Sequence, residues 1–381
     1  MNTKILYTIP GKVLGGGHLA TIDIMDQLAS YGFQPVALVN NDKSDIVSLI
    51  KKKNISYIYL PNTSGLSLKT TTKFLQQILR VWKIILNNKI SLVHFNDLET
   101  GHYGTIAARL ARIPSILHLR SVFWAKQCGW MNRLILSQAS LILANSRFVH
   151  TTAIKAGLPK EKIHTIYNGV DLTRFEVQQK ETDKVREVLK ISRDRLIVCF
   201  MGRLGLEWKN ESLVYYLVGE LSQRMEGITL LVLGGPYDGY KETFNRCKNN
   251  AKKLGKGADI RLLGYRDDIP AVLSLIDLLL VPSREEPFGR VVLEGMAAGV
   301  PVVGSNNGGI PEMITDGHDG FLRSPDDVKG WLAIIESLLT DPIRRERIGR
   351  NAKKTIEENF TLNNMAHKIA SAYFHQLEMT K

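Results

Sequence analysis

Apolar residues fall in short runs separated by longer amphipathic stretches. In the first half the runs are KILYTI, PVALVN, SLVHFN, PSILHL and SLILANS. Runs of this length and apolarity predict buried parallel strands. After the first of them, HLATIDIMDQLASYG carries apolar residues at helical spacing and stops at Gly32, which predicts a helix with a glycine end. The second half repeats the rhythm in RLIVCFMG, ITLLVLGG, IRLLG, LLLVPS and PVVGS. The expected class is α/β, with two Rossmann-like doubly wound parallel-sheet domains facing a cleft. The segment FEVQQKETDKVREVLKISRDR is polar and breaks the strand rhythm, so the boundary is expected near 170–195. The domains expected are 1–170 and 171–360, with a C-terminal helix at about 361–381 packing back on the first.

In such sheets, ligands bind beyond the carboxyl ends of the strands, so the loops there should carry the chemistry. One loop, REEPFG, follows the run LLLVPS and leads into RVVLEGMAA, a predicted helix stopped by Gly299. Backbone N–H groups around Phe288, Gly289, Arg290 and Val291 begin that helix and make an anion site with its dipole. Glu294 sits about one turn deeper and suits a vicinal diol, while Glu286 precedes the helix and reaches a different group. Either acid alone reads as a surface Glu near a helix start, where acids are favoured anyway. One ligand bearing a diol, phosphates and further hydroxyls explains both. The loop RLGLEWKNESL places Arg203 and Lys209 across another predicted helix start, which suits a diphosphate; the alternative is two solvated loop charges. In the third loop, GGGHLA fits G-x-G-x-x-A and Asp42 lies past the next strand, a weak dinucleotide fingerprint. Its glycines begin five residues beyond Pro10, so they read as backbone approaching a phosphate or sugar, or simply as a mobile turn.

The chain has 381 residues, 44% hydrophobic and 23% charged, with three widely spaced cysteines. No disulfide framework or metal-ligand spacing appears, and no 18-residue apolar span crosses a membrane. The expected location is the cytoplasm, peripheral on the inner face of the membrane. The net charge of +13 is uneven. Residues 1–171 hold 20 Lys and Arg against 8 acids, and residues 172–381 hold 30 against 29. A basic half suits nucleic acid, an anionic membrane or a phosphorylated substrate. No groove-reading motif is present, so nucleic acid is not expected as a partner. LKTTTKFLQQILRVWKIILNNK sets Lys69, Lys73, Arg80 and Lys83 on one polar stripe, with Leu75, Ile78, Leu79, Trp82 and Ile85 on the side expected to be core. SVFWAKQCGWMNR adds Phe123, Trp124, Lys126 and Trp130, a mixture suited to a membrane interface.

The motifs together strongly resemble the GT-B glycosyltransferases, specifically the retaining enzymes of family 4. An E-x7-E signature appears as EPFGRVVLE, residues 286–294, and a G-R-L…K loop as GRLGLEWK, residues 202–209. YNGVD, GYRDDIP, AAGVPVV and GGIPEMI also match, and the resemblance is densest over 199–322. It implies transfer of a sugar from a nucleotide diphosphosugar to a glycan, lipid-linked or other hydroxyl acceptor with retention of configuration. Cell-surface polysaccharide or glycolipid biosynthesis is the implied setting, with no cofactor and no metal in the cleft. It makes residues 1–170 the acceptor side and 171–360 the nucleotide-sugar side. Glu286, Arg203 and Lys209 take the catalytic positions: Glu286 at donor-sugar hydroxyls, Arg203 and Lys209 at the diphosphate. Glu294 holds the ribose, with Phe288, Gly289, Arg290 and Val291 beside it. Gly16 and Gly17 close over the donor, and Tyr265 and Arg266 lie in the base-binding loop. Where the family often has a cleft histidine, PSILHLR places Arg120, with His118 two residues earlier on the same strand face. His118 reads equally as a satisfied buried histidine. The alternatives are a non-transferring GT-B enzyme such as a nucleotide-sugar 2-epimerase, or, remotely, a nicotinamide-dependent oxidoreductase.

Overall fold

The computed structural model describes residues 3–11, 15–61, 71–96, 98–125, 128–236, 239 and 241–380. The chain forms two compact units, Met1–Gly169 with Leu362–Lys381, and Val170–Thr361.

In the first unit, the described residues form β1 (Thr3–Ile9), α1 (Gly16–Leu28), β2 (Phe33–Val39), α2 (Asp45–Lys52), β3 (Ser56–Tyr59), α3 (Thr71–Asn87), β4 (Leu92–Phe95), α4 (Leu98–Leu110), β5 (Ser115–Leu119), α5 (Trp130–Leu136), β6 (Leu141–Ala144), α6 (Arg147–Lys155) and β7 (Ile163–Thr165). The strands pair in parallel in the order β3-β2-β1-β4-β5-β6-β7. Both faces of the sheet are covered, so its strands carry apolar residues on both sides. Leu6, Val93, Phe95 and Leu117 pack under α3 to α6. Ile5, Tyr7, Leu92 and Ile116 face the other layer, α1 and α2.

In the second unit follow α7 (Gln179–Val188), β8 (Leu196–Met201), α8 (Glu211–Ser222), β9 (Ile228–Leu233), α9 (Lys241–Leu254), β10 (Asp259–Gly264), α10 (Ile269–Leu273), β11 (Leu278–Val281), α11 (Arg290–Ala297), β12 (Val302–Ser305), β13 (Phe321–Arg323), α12 (Val328–Thr340) and α13 (Pro342–Asn359). Their strand order is β10-β9-β8-β11-β12-β13. The last helix, α14 (Leu362–Glu378), buries Leu362, Met365, Ile369 and Tyr373 against the first unit's sheet.

In each sheet the chain reverses direction next to its first strand, between β1 and β4 and again between β8 and β11. Two loops therefore diverge at each switch point and leave room for a ligand. The predicted strands and the helix ending at Gly32 are present, Gly32 adopting φ +81°. Three short strands were not predicted: β3, β7 and β13, of four, three and three residues. Each is an edge strand, too short to stand out as an apolar run. Leu75 and Leu79, placed by the sequence pattern on the core side of α3, are 55% and 52% exposed. Lys69 and Lys126 fall outside the described residues.

Candidate active site

In the second unit, the β8 and β11 loops meet in one ion pair. Lys209 Nζ donates to Glu286 Oε2 at 2.6 Å, and the two side chains are 11% and 10% exposed. Ser283 Oγ donates to the same carboxylate oxygen at 3.1 Å. The ammonium also lies 4.5 Å from the centroid of the Trp208 ring, within cation–π range. The backbone ties the loops again, since Arg284 N–H donates to the Trp208 carbonyl at 2.7 Å. Lys209 and Glu286, expected to meet different parts of a ligand, are thus joined to each other.

Local geometry explains how the loops reach this point. Lys209 closes a single 3₁₀ turn, Glu207–Lys209, and Asn210 at φ +57° turns the chain into α8. Arg203 and Lys209 therefore both precede the helix and do not straddle its start. Arg203 is half-buried in the loop just after β8. Below it, buried Glu211 accepts the Gly205 N–H at 3.0 Å and so braces the loop. On the other side, Gly289 takes φ +106°, a conformation that favours glycine, and starts α11. Phe288 is buried beside it and faces the Phe360 ring. The turn after β12 supports this loop. Gly309 N–H donates to the Glu286 carbonyl at 2.8 Å, and a Cβ on Gly308 (φ +66°) would lie 2.3 Å from that same oxygen.

One turn into α11, Arg290 Nε donates to Glu294 Oε1 at 3.0 Å, with the side chains 10% and 15% exposed. Val291 is half-buried next to Arg290. The acids of the E-x7-E signature are thus each held by a cation, in two pairs on one loop–helix segment. After β10, Tyr265 is 68% exposed, and Arg266 pairs with Asp268, Nε to Oδ1 at 2.7 Å. That hydrogen bond holds the Asp268 carboxyl below its usual range and raises the guanidinium.

In the first unit, Gly16 and Gly17 open α1. A Cβ on Gly17 would meet Arg120 Cδ at 3.7 Å, so the arginine stem lies against the glycine turn. Arg120 Nη1 donates to Asn168 Oδ1 at 2.7 Å, and Nη2 lies 3.1 Å from His118 Nδ1. His118 continues a buried chain. Its Nδ1 is 3.1 Å from His94 Nε2, His94 Nδ1 is 2.5 Å from Tyr373 Oη, and that hydroxyl is 2.6 Å from Tyr7 Oη. A guanidinium can only donate. His118 Nδ1 is then an acceptor, His94 Nε2 donates to it, and the two tyrosines donate in turn toward His94 Nδ1. Burial and then the nearby Arg120 cation hold both histidines well below the usual imidazole value, so both are neutral. Among the described residues, His118 Nε2 finds no partner. His118 is therefore a buried histidine, braced against Arg120.

Ser283, Trp208 and Glu211 were not anticipated from the sequence, nor were His94, Asn168 and Tyr373. Asn168 had a signal in the YNGVD motif. Tyr373 had none, since it comes from a helix 366 residues beyond Tyr7.

Two parallel Rossmann-like sheets, with buried acid–cation pairs at a switch point, define a class of two-domain α/β enzymes. Family models described as Glycosyltransferase Family 4 and as Glycosyl transferases group 1 match residues 14–174 and 181–355. The chain belongs to this GT-B glycosyltransferase family. A relative from Escherichia coli, described as UDP-Gal:alpha-D-GlcNAc-diphosphoundecaprenol alpha-1,3-galactosyltransferase, is 23% identical over 93% of this chain and 95% of its own. The crystal structure of Anabaena HepE in complex with UDP and glucose is 25% identical, with a TM-score of 0.85 over 98% of this chain and 100% of that one. A glycosyltransferase from Rickettsia africae, 22% identical, shares the fold with a TM-score of 0.87 over 99% of each chain.

Proposed function

We propose that this glycosyltransferase moves a sugar from a nucleotide diphosphosugar to a hydroxyl on a glycan or lipid-linked acceptor, with retention of anomeric configuration and without a metal. The observation that carries the reading is the joining of Lys209 and Glu286 in one buried pair, with Arg290 and Glu294 a turn away. Two carboxylates, each set by a cation, suit two hydroxyl-bearing parts of one ligand. Glu294 takes the ribose and Glu286 the donor-sugar hydroxyls. The diphosphate belongs to Arg203, Lys209 and the N–H groups that open α11, at Phe288 to Val291. Tyr265 and Arg266 serve the base, and Gly16 and Gly17 the donor. Arg120, braced by His118, serves the acceptor. The UDP and glucose bound in the HepE structure support the nucleotide-sugar donor.

In the transfer step, the bond from the anomeric carbon to the β-phosphate oxygen breaks as the acceptor oxygen bonds to the same face of that carbon. The acceptor proton goes to the departing phosphate. Charge concentrates on that phosphate as it leaves, and fixed donors there lower the barrier. The diphosphoundecaprenol named for the E. coli relative supports a lipid-linked acceptor, an anionic membrane surface and cell-surface glycan synthesis. The test is a panel of nucleotide diphosphosugars screened by thermal shift, since a ligand of the native state raises the melting temperature. Each hit is then assayed for transfer with and without chelator, and the anomer formed is read by NMR. Failure of every nucleotide sugar to bind, or an inverted product, defeats the reading. Loss of rate with chelator and its rescue by a divalent cation defeat the metal-free step.

A further inference from the structure

Lys209 leaves the backbone at the end of a 3₁₀ turn, and its side chain follows one path to Glu286. A Cβ on Gly202 would meet Lys209 Cδ at 3.6 Å, so the stem runs against that glycine. The head reaches Glu286 Oε2 at 2.6 Å and lies over the ring of the preceding residue, Trp208, 4.5 Å from the centroid. Trp208 is half-buried, and its carbonyl accepts the Arg284 N–H at 2.7 Å, so its backbone is tied to the loop that carries Glu286. Two other lysines among the described residues also lie near aromatic rings, but in a different setting. The Lys51 and Lys256 ammonium groups stand 5.6 and 5.9 Å from the Tyr57 and Tyr216 centroids, and both lysines are exposed. An exposed ammonium keeps its water and gains little from a ring, whereas the Lys209 side chain, at 11% exposure, has given most of it up.

An ammonium can only donate. Glu286 accepts from it and at the same time cancels its charge. A second carboxylate in the place of Trp208 would cancel that charge further and leave nothing for an anionic ligand. The indole face attracts the ammonium through its quadrupole and carries no net charge, so the cation stays available to a third group. The ring also keeps its hold when the carboxylate turns to a ligand hydroxyl. We infer that Trp208 is a positioning residue for Lys209: the face of its indole seats the ammonium beside Glu286 and keeps it there when a ligand engages that carboxylate. The contact stands on geometry. Its use, presenting a cation to a diphosphate, rests on the function proposed above.

The test replaces Trp208 in the full chain with a series of increasingly fluorinated tryptophans, inserted by codon suppression. Each fluorine withdraws charge from the ring face and leaves the ring's shape nearly unchanged, so packing is kept, and circular dichroism checks that each variant is folded. Hydrogen exchange of peptides covering β8 and β11 reads the seat of the ammonium without any ligand. Protection there should fall stepwise along the series, and Trp208→Leu should lower it by about tenfold. In a Lys209→Met chain the same series should be flat, since no cation then faces the ring. Transfer is measured with a nucleotide diphosphosugar found by the thermal-shift panel. Its kcat should fall stepwise too, by about tenfold for Trp208→Leu, while KM moves little. A flat series in the otherwise unchanged chain overturns the inference, as does a slope that persists with Lys209→Met, because a tryptophan that only fills space gives those results. A stepwise loss of protection with unchanged kcat upholds the contact and defeats the diphosphate role of Lys209, so the two failures are told apart.

Discussion

Lys209→Met isolates the pair at the centre of the site. The substitution keeps the length and apolar stem of the lysine and removes the ammonium 2.6 Å from Glu286 Oε2. With both side chains about nine-tenths buried, the carboxylate is left without its cation. Removing one partner of a buried pair costs about 3–5 kcal/mol. Ser283 Oγ still donates to the orphaned carboxylate at 3.1 Å, so the expected loss is at the lower end, about 3 kcal/mol. Glu286→Leu in the same chain removes the buried charge, and the double variant should recover most of that loss, about 2 kcal/mol relative to Lys209→Met. Because the chain has two units, one melting temperature does not report this energy. Hydrogen exchange of peptides covering β8 and β11 does, as those strands feed the two loops. A loss below about 1 kcal/mol, or a double variant no more stable than Lys209→Met, would show that the pair is solvated and that its burial does not govern its energy.

Calorimetry with UDP, the nucleotide in the HepE structure, should separate the two acids. Glu294→Ala should weaken binding about tenfold and Glu286→Ala leave it nearly unchanged while depressing turnover; equal losses contradict that division. Lys209→Ala should lower kcat more than it raises KM, since the leaving charge exceeds the ground-state charge, and a pure KM effect would mean that the lysine only holds the donor. Gly308→Ala should cost about 2–3 kcal/mol and most of the activity, because its Cβ would lie 2.3 Å from the Glu286 carbonyl at a φ unsuited to other residues. His94 and His118 are held neutral, below the ordinary value of about 6.5, so the unfolded chain binds protons there that the native state does not. Their contribution is full above about pH 6.5 and is lost as pH falls toward the folded values, by about 1.4 kcal/mol per pH unit for each histidine. Exchange in β4 and β5 peptides between pH 7 and 5 measures it, and flat protection would count against neutral histidines.

The alternation of apolar runs and amphipathic stretches determined the class of fold. A buried parallel strand must be apolar along its whole length and its covering helix apolar on one side, and both marks are local. Local too were Glu286, Glu294, Arg203 and Lys209, because loops at strand ends read directly from the chain. What those residues touch was not local. Lys209 and Glu286 are 77 positions apart, and only β8 lying beside β11 brings them to 2.6 Å. The same holds for Tyr373, which enters the first unit's core from the far end of the chain and completes the chain of donors that fixes His94 and His118. On α3, periodicity counted Leu75 and Leu79 as core. A single helix pattern records which residues are apolar, whereas the neighbouring helices and sheet decide which of them are covered, and that left Leu75 and Leu79 facing water.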